Sequence, residues 1–294
     1  MPPGDVGDTR VQDIAAWITG HEGWILGVLT IISIIIIWRF NAVRPGGLDA
    51  GKRDVKPVPF VMWLFAAATT WLALGLGAAA PEKLGLIEGT PVHDQAVQLL
   101  LANLTAAVIG SGLVWFVARE APEGGTRPGW PDVPIGVGLF LVIYPLVALA
   151  GQIGLWTMRG MGAVEQDRMA HETLRLIAQH RGDAWMWVLV GVLVVLVPIA
   201  EELIYRVFLQ SALRRIFPGP WMSVVLTSML FTAVHLPAIP EGGEYALASL
   251  FVLSLGIGAS YERTAKLGVP IAMHASFNAL NLAMAFLIEP VAQG

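Results

Sequence analysis

Long apolar runs alternate along the chain with short polar stretches. A helix that crosses a bilayer needs about 20 predominantly apolar residues. The runs that approach this length are Trp24–Phe40, Val58–Ala79, Ala96–Ala118, Ile135–Trp156, Trp185–Leu213, Trp221–Leu236, Tyr245–Tyr261 and Gly268–Ile288. The pattern therefore predicts an all-α protein, a polytopic transmembrane helix bundle of about eight spans.

The composition supports this assignment and narrows the classes of partner. Hydrophobic residues make up 55% of the chain and charged residues 14%, whereas soluble domains carry about 25% charged residues. The net charge is −4 and no basic tract is present, so the lipid bilayer is an expected partner and nucleic acid is not. The chain has no cysteine, which excludes disulfides and cysteine nucleophiles.

The loops between the runs differ in their content of Lys and Arg. With both termini outside, the cytoplasmic loops carry eleven of these residues and the outer segments carry six. Lys and Arg are enriched in cytoplasmic loops of membrane proteins. We therefore expect a multi-pass protein of the cell membrane, with the loop at residues 39–56 in the cytoplasm.

Three charged residues interrupt the fifth apolar run. Glu201 and Glu202 are adjacent, and Arg206 follows Glu202 by one helical turn. A charged side chain at bilayer depth costs about 2.5–3.5 kcal/mol on insertion scales, so three of them need partners or a function. Pro198, just before them, is expected to kink this long helix, because its ring removes a hydrogen bond.

Polar partners occur at similar depths in two of the last three runs. His235 lies late in the sixth run, and His274 and Asn278 lie four residues apart in the eighth, on one helical face. At 1.5 Å per residue, Glu201 and His235 each lie about 21 Å from the cytoplasmic end of their span, His274 about 12 Å and Asn278 about 18 Å. The sequence thus predicts one polar site that opens toward the cytoplasmic side.

These residue types suit hydrolysis in two ways that the residues alone do not separate. A carboxylate beside a histidine can hold and deprotonate a water molecule, while a second histidine and an asparagine donate hydrogen bonds to an oxyanion. Alternatively, Glu201, His235 and His274 could ligate a divalent metal such as zinc. The cofactor is therefore left open between a divalent metal and none.

The motifs resemble those of a known family. Glu201-Glu202-Leu-Ile-Tyr-Arg206 matches an EExxxR motif, Phe231-Thr-Ala-Val-His235 an FxxxH motif, and His274-Ala-Ser-Phe-Asn278 an HxxxN motif. Together they resemble the CAAX protease and bacteriocin-processing family, also called the Abi or CPBP family. The resemblance covers about residues 188–282. It divides the chain into an N-terminal transmembrane region, residues 1–184, with about four spans and no family signal, and a catalytic transmembrane region, residues 185–294.

The resemblance implies an intramembrane endopeptidase, and it assigns a role to each motif residue. Glu201 and His235 would activate water, Glu202 and Arg206 would support the site, and His274 and Asn278 would bind the oxyanion. The implied substrate is a peptide or a prenylated, membrane-associated protein.

Two other functions fit the same residues. One is a catalytically idle family member that acts as a membrane scaffold or immunity factor. The other is a proton-coupled transporter, which should show internal repeats with broken helices in both halves. Residues 1–184 contain no second pair of adjacent glutamates and no second HxxxN pattern, which disfavours the transporter.

Overall fold

A computed structural model describes residues 6–44, 46–51, 53–161 and 172–287, with residues 6–20, 50 and 51 described by their backbone alone. The longer elements in these residues are all helices, and no strand occurs among them. They are α1 Val6–Arg39, α2 Phe60–Lys83, α3 Pro91–Glu120, α4 Asp132–Gly160, α5 Glu172–Gln179, α6 Ala184–Ile216, α7 Pro220–Val234, α8 Ala246–Thr264 and α9 Gly268–Leu287. The predicted all-α fold class is confirmed. Helix α1 begins well before the predicted start at Trp24.

Within the described ranges, seven helical segments are long and apolar enough to cross a membrane. They are His21–Arg39 of α1, then α2, α3, α4, α6, α7 with the 3₁₀ turn that follows it, and α9. The protein is therefore a multi-pass membrane protein. The seventh predicted span, Tyr245–Tyr261, corresponds to α8, which is absent from this set.

Helix α8 carries its polar side chains on buried surfaces. Ser254 and Glu262 are buried, and Ser260 is only 7% exposed. The helix packs against α4 and α7, so these groups meet protein rather than lipid. This explains how a helix less apolar than its neighbours can lie within the bundle.

Helices from both halves of the chain share one core. Trp63 of α2 and Val117 of α3 pack in the same apolar cluster as Phe208 of α6 and Tyr261 of α8. Helix α4 approaches α9 so closely at Gly136 that an added Cβ would lie 2.6 Å from the Ala272 Cβ. The N-terminal helices thus hold the motif-bearing helices in place.

Helix α6 is continuous but not uniformly α-helical. Two π-helical segments, Val192–Leu196 and Leu203–Leu209, flank a short α-helical segment, Val197–Glu202, which contains Pro198. Single π turns inside α-helices often mark functional sites. Here they bracket the adjacent glutamates and widen the helix on both sides of them.

Candidate functional site

The Glu201 carboxylate faces an imidazole from each of two other helices. Its Oε1 lies 4.0 Å from His235 Nε2, and its Oε2 lies 3.7 Å from His274 Nε2. The side chains of Glu201 and His235 are 18% and 19% exposed, while that of His274 is 5% exposed. Side chains of α6, α7 and α9 thus lie together, as the sequence predicts. Two of the three, Glu201 and His235, are accessible to solvent.

Glu202 lies behind this group and is fully buried. Its Oε2 accepts a hydrogen bond from Arg206 Nε at 3.0 Å, and its Oε1 accepts one from His274 Nδ1 at 2.8 Å. Arg206 is also fully buried and donates from Nη2 to the Ser254 hydroxyl at 2.8 Å. The second glutamate therefore joins the arginine to the histidine, and its charge is compensated without solvent.

The hydrogen bonds of His235 define which of its nitrogens carries the proton. Nδ1 lies 2.7 Å from the carbonyl oxygen of Phe231. Because a carbonyl oxygen can only accept, Nδ1 carries the hydrogen and the neutral ring presents the lone pair of Nε2. That lone pair faces Glu201, so two proton acceptors face each other across 4.0 Å.

His274, like His235, carries its hydrogen on Nδ1, but the group that accepts this hydrogen is different. Its Nδ1 donates to the Glu202 carboxylate, and its Nε2 faces Glu201. A carboxylate that holds the distal nitrogen of a functional histidine fixes the orientation of the ring. Glu202 thus aims His274 Nε2 into the space beside Glu201.

Aromatic rings form one wall of this space. The Phe231 ring lies 4.5 Å from the His235 ring and 5.9 Å from the His274 ring, measured between centroids. Tyr205 packs edge-on against Phe231 at 5.1 Å. These rings fix the positions of both imidazoles by packing.

Asn278 makes a contact that its predicted role does not include. Its Nδ2 donates to the carbonyl oxygen of Leu193, in the first π segment, at 2.8 Å. In a regular α-helix that carbonyl would accept from Val197, whose N–H instead reaches Val192. The next donor in a π-helix would be residue 198, which is a proline and has no N–H. Asn278 therefore satisfies a carbonyl that Pro198 leaves without a backbone donor.

This arrangement predicts a coupling between Asn278 and Pro198. Asn278→Ala should lower the free energy of unfolding by about 1 kcal/mol, the net contribution of a partly buried hydrogen bond. In a Pro198→Ala background the same change should cost less, because residue 198 then supplies an N–H. The measurement is a double-mutant cycle of unfolding free energies in detergent.

A matched control for this cycle is Asn281→Ala. The Asn281 amide donates to Phe277 within α9, at 2.9 Å, so its cost should not depend on residue 198. Equal costs of Asn278→Ala with and without the proline would show that the two residues are not linked.

The histidines and glutamates do not form a ligand set for a metal as they are arranged. Within the described ranges, no group of three or more His, Cys, Asp or Glu side chains is placed to hold a metal ion. Glu202 is occupied by Arg206 and His274. The Glu201 carboxylate and the two Nε2 atoms are the groups that remain facing the accessible space.

Two supporting residues were not predicted from the sequence. Ser254 contacts Arg206, and Gln210 lies one turn beyond Arg206 on the same helix. The signal for Gln210 was its spacing, since residues four apart share a helical face. The signal for Ser254 was that it is a polar residue within an apolar run. This signal is ambiguous, because serine is also common where membrane helices pack closely together.

The helices and the site together define a membrane-embedded acid–imidazole centre, built on a charged pair that lipid alone would not tolerate. The model of the family described as Rce1-like, type II CAAX prenyl endopeptidase, matches residues 183–280. The matched segment begins at Asp183, which caps α6 by accepting a hydrogen bond from the Trp185 N–H. The match confirms the resemblance of the three motifs to the CAAX protease family, on about a third of the chain.

No curated protein and no solved structure matches this chain.

Proposed function

We propose that this protein is an intramembrane endopeptidase in which Glu201 and His235 activate a water molecule. The observation that carries the proposal is the placement of the Glu201 carboxylate opposite the Nε2 atoms of both histidines. The family match supports peptidase activity at the level of the family.

The first step is the binding and activation of water. Glu201 Oε1 and the lone pair of His235 Nε2 are both acceptors, so one water can donate a hydrogen to each. The oxygen lone pairs of that water then remain free to attack. As the water oxygen bonds to the peptide carbonyl carbon, one proton passes to Glu201, while His235 Nε2 accepts a hydrogen bond from the other hydrogen of the water.

The second step needs a donor for the oxyanion and a proton for the leaving amine. His274 Nε2, when protonated, points into the same space and donates to the oxyanion, while Glu202 holds its Nδ1. The proton taken from water then passes to the amide nitrogen, the carbon–nitrogen bond breaks, and the products are a carboxylic acid and an amine. Every proton that is transferred in these two steps originates from the attacking water.

The proposed substrate is a peptide segment presented at the membrane, of the prenylated C-terminal class that the matched family's name states. Glu201 and His235, the two accessible residues of the site, lie on helices that are apolar enough to span a bilayer. A substrate that carries its own lipid anchor would reach such a site by diffusion within the membrane.

A cleavage assay with the purified protein tests this proposal. We expect farnesylated peptides to be cut near their C-terminus, with the products identified by mass, and we expect a chelator to leave the rate within about twofold, because the mechanism uses no metal. Loss of cleavage in chelator with recovery on adding zinc would contradict the metal-free mechanism. Failure of the intact, folded protein to cut any lipidated peptide would contradict the proposal itself.

A further inference from the structure

A buried polar column runs along α6 and α8 from the catalytic group to the loop at residue 53. Arg206 and Gln210 lie one turn apart on α6, and neither is exposed to solvent. Gln210 Nε2 donates to the Gly258 carbonyl oxygen at 3.1 Å and to Glu262 Oε1 at 2.8 Å. Glu262 in turn is paired with Arg53.

Two polar atoms in the middle of this column lack a hydrogen-bond partner among the described residues. Arg206 Nη1 and Gln210 Oε1 are both buried, and neither forms a hydrogen bond with any described residue. One is a donor that belongs to a cation and the other is an acceptor. Buried polar groups in native proteins are nearly always satisfied by protein or by ordered water.

Both of these atoms lie beside the bare face of Gly258. A Cβ placed on that glycine would come within 2.9 Å of Gln210 Oε1 and 3.4 Å of Arg206 Nη1. The third neighbour, Val224 of α7, would lie 3.1 Å away and closes the site on the apolar side. The donor and the acceptor thus converge where this helix has no side chain.

The polar surface continues along α7 past Val224. Thr227 and Ser228 follow by three and four residues, are fully buried, and have hydroxyl groups without a hydrogen-bond partner in the described residues. Residues three and four apart on a helix share a face. The region between α6, α7 and α8 is therefore polar on two helices, which is the environment that retains buried water.

We propose that the face of Gly258 forms a binding site for a water molecule, which accepts from Arg206 and donates to Gln210 and so positions the Glu202–His274 pair. This proposal rests on the proposed function only in its effect on catalysis. The water completes a continuous column from Arg53 to His274. Gly258 is needed because a Cβ there would lie within 3.4 Å of both polar atoms and so exclude the water from the space between them.

The far end of the column brings a residue of the N-terminal region into contact with the catalytic region. Arg53 pairs with Glu262, and its guanidinium also lies over the Tyr261 ring, 4.2 Å from its centre. Burial alone would lower the pKa of Arg53, but the charge of Glu262 and the contacts with Tyr261 outweigh it, and the pKa lies above its ordinary value. Arg53 therefore stays charged and anchors the column.

The test compares two substitutions of the same glycine. Gly258→Ala fills the site with a methyl group, and Gly258→Ser fills it with a hydroxyl group that can replace the water. We expect kcat to fall about tenfold in Gly258→Ala, as for a lost hydrogen bond to a charged group, and to stay within about threefold of wild type in Gly258→Ser. The KM should change little, and the thermal unfolding midpoints should follow the same order.

The matched control is Gly256, on the same helix. An added Cβ there would lie 2.5 Å from Ile143 Cδ1, an apolar atom. Serine at position 256 should therefore be no better than alanine, because the hydroxyl finds no donor or acceptor and serine is the poorer helix former. The reversed order at position 258 is what steric crowding alone cannot produce.

An equal or greater loss in Gly258→Ser than in Gly258→Ala, by either measurement, would overturn the water site. The unfolding midpoints are measured without substrate, so they test the site even if the protein cleaves no peptide. If the protein cleaves no peptide but Gly258→Ser is more stable than Gly258→Ala, the proposed function is contradicted and the water site is still supported.

Discussion

Glu201→Gln should abolish most of the proposed peptidase activity while leaving the protein folded. The glutamine side chain has the same shape but cannot accept the proton of the attacking water, and general-base catalysis contributes about 10²–10⁴-fold in rate. Stability should hardly change, because Glu201 Oε2 has no hydrogen-bond partner among the described residues and the side chain is partly exposed. The measurement is kcat for a lipidated peptide beside a thermal unfolding curve.

The control for this result is the KM. A substrate-binding defect would raise KM with little change in kcat, whereas loss of the base lowers kcat. A Glu201→Gln protein with more than a tenth of the wild-type kcat would remove Glu201 from the role of base.

The same substitution at the neighbouring residue, Glu202, should mainly lower the stability of the protein. Glu202→Gln should lower the free energy of unfolding by about 3–5 kcal/mol, because it leaves the Arg206 guanidinium buried without its carboxylate. Both side chains are fully buried, so water cannot replace the lost partner. Equilibrium unfolding in detergent with increasing denaturant measures this difference.

A double variant separates charge from shape. Replacing Glu202 and Arg206 together by methionine removes both charges, and buried ion pairs are often replaced by apolar side chains at little cost. We therefore expect the double variant to recover much of the stability but not the activity, because His274 loses the carboxylate that orients it. A double variant as unstable as Glu202→Gln would show that the ion pair is not the source of the loss.

The helices and the central residues of the site were predictable from the sequence for one physical reason. Lipid penalises charge strongly, so Glu201, Glu202 and Arg206 in an apolar run had to be explained, and helical spacing then identified their partners. Similar depths indicated that Glu201 and His235 could meet. The three motifs together indicated that His274 belongs to the same site. Apolar length, in the same way, indicated the spanning helices.

The remaining parts of the site depend on contacts that no local pattern contains. The bond from Asn278 to Leu193 links residues 85 positions apart, and it arises because α6 widens at a particular turn. The pairing of Arg53 with Glu262 joins residues 209 positions apart, and from the sequence Arg53 counted only as one of the basic residues in a loop. Such contacts are selected by the packing of the whole bundle.

The polar character of α8 has a consequence for how the protein is made. A segment with buried Ser254, Ser260 and Glu262 gains less from entering lipid than its neighbours do, so its insertion depends on shielding by protein. Helix α4, which packs against it, precedes it in the chain, so we expect α4 to enter the membrane first and to provide this shielding. The helices that precede the segment matched by the family model are thus expected to assist the insertion of the helices that carry the motifs.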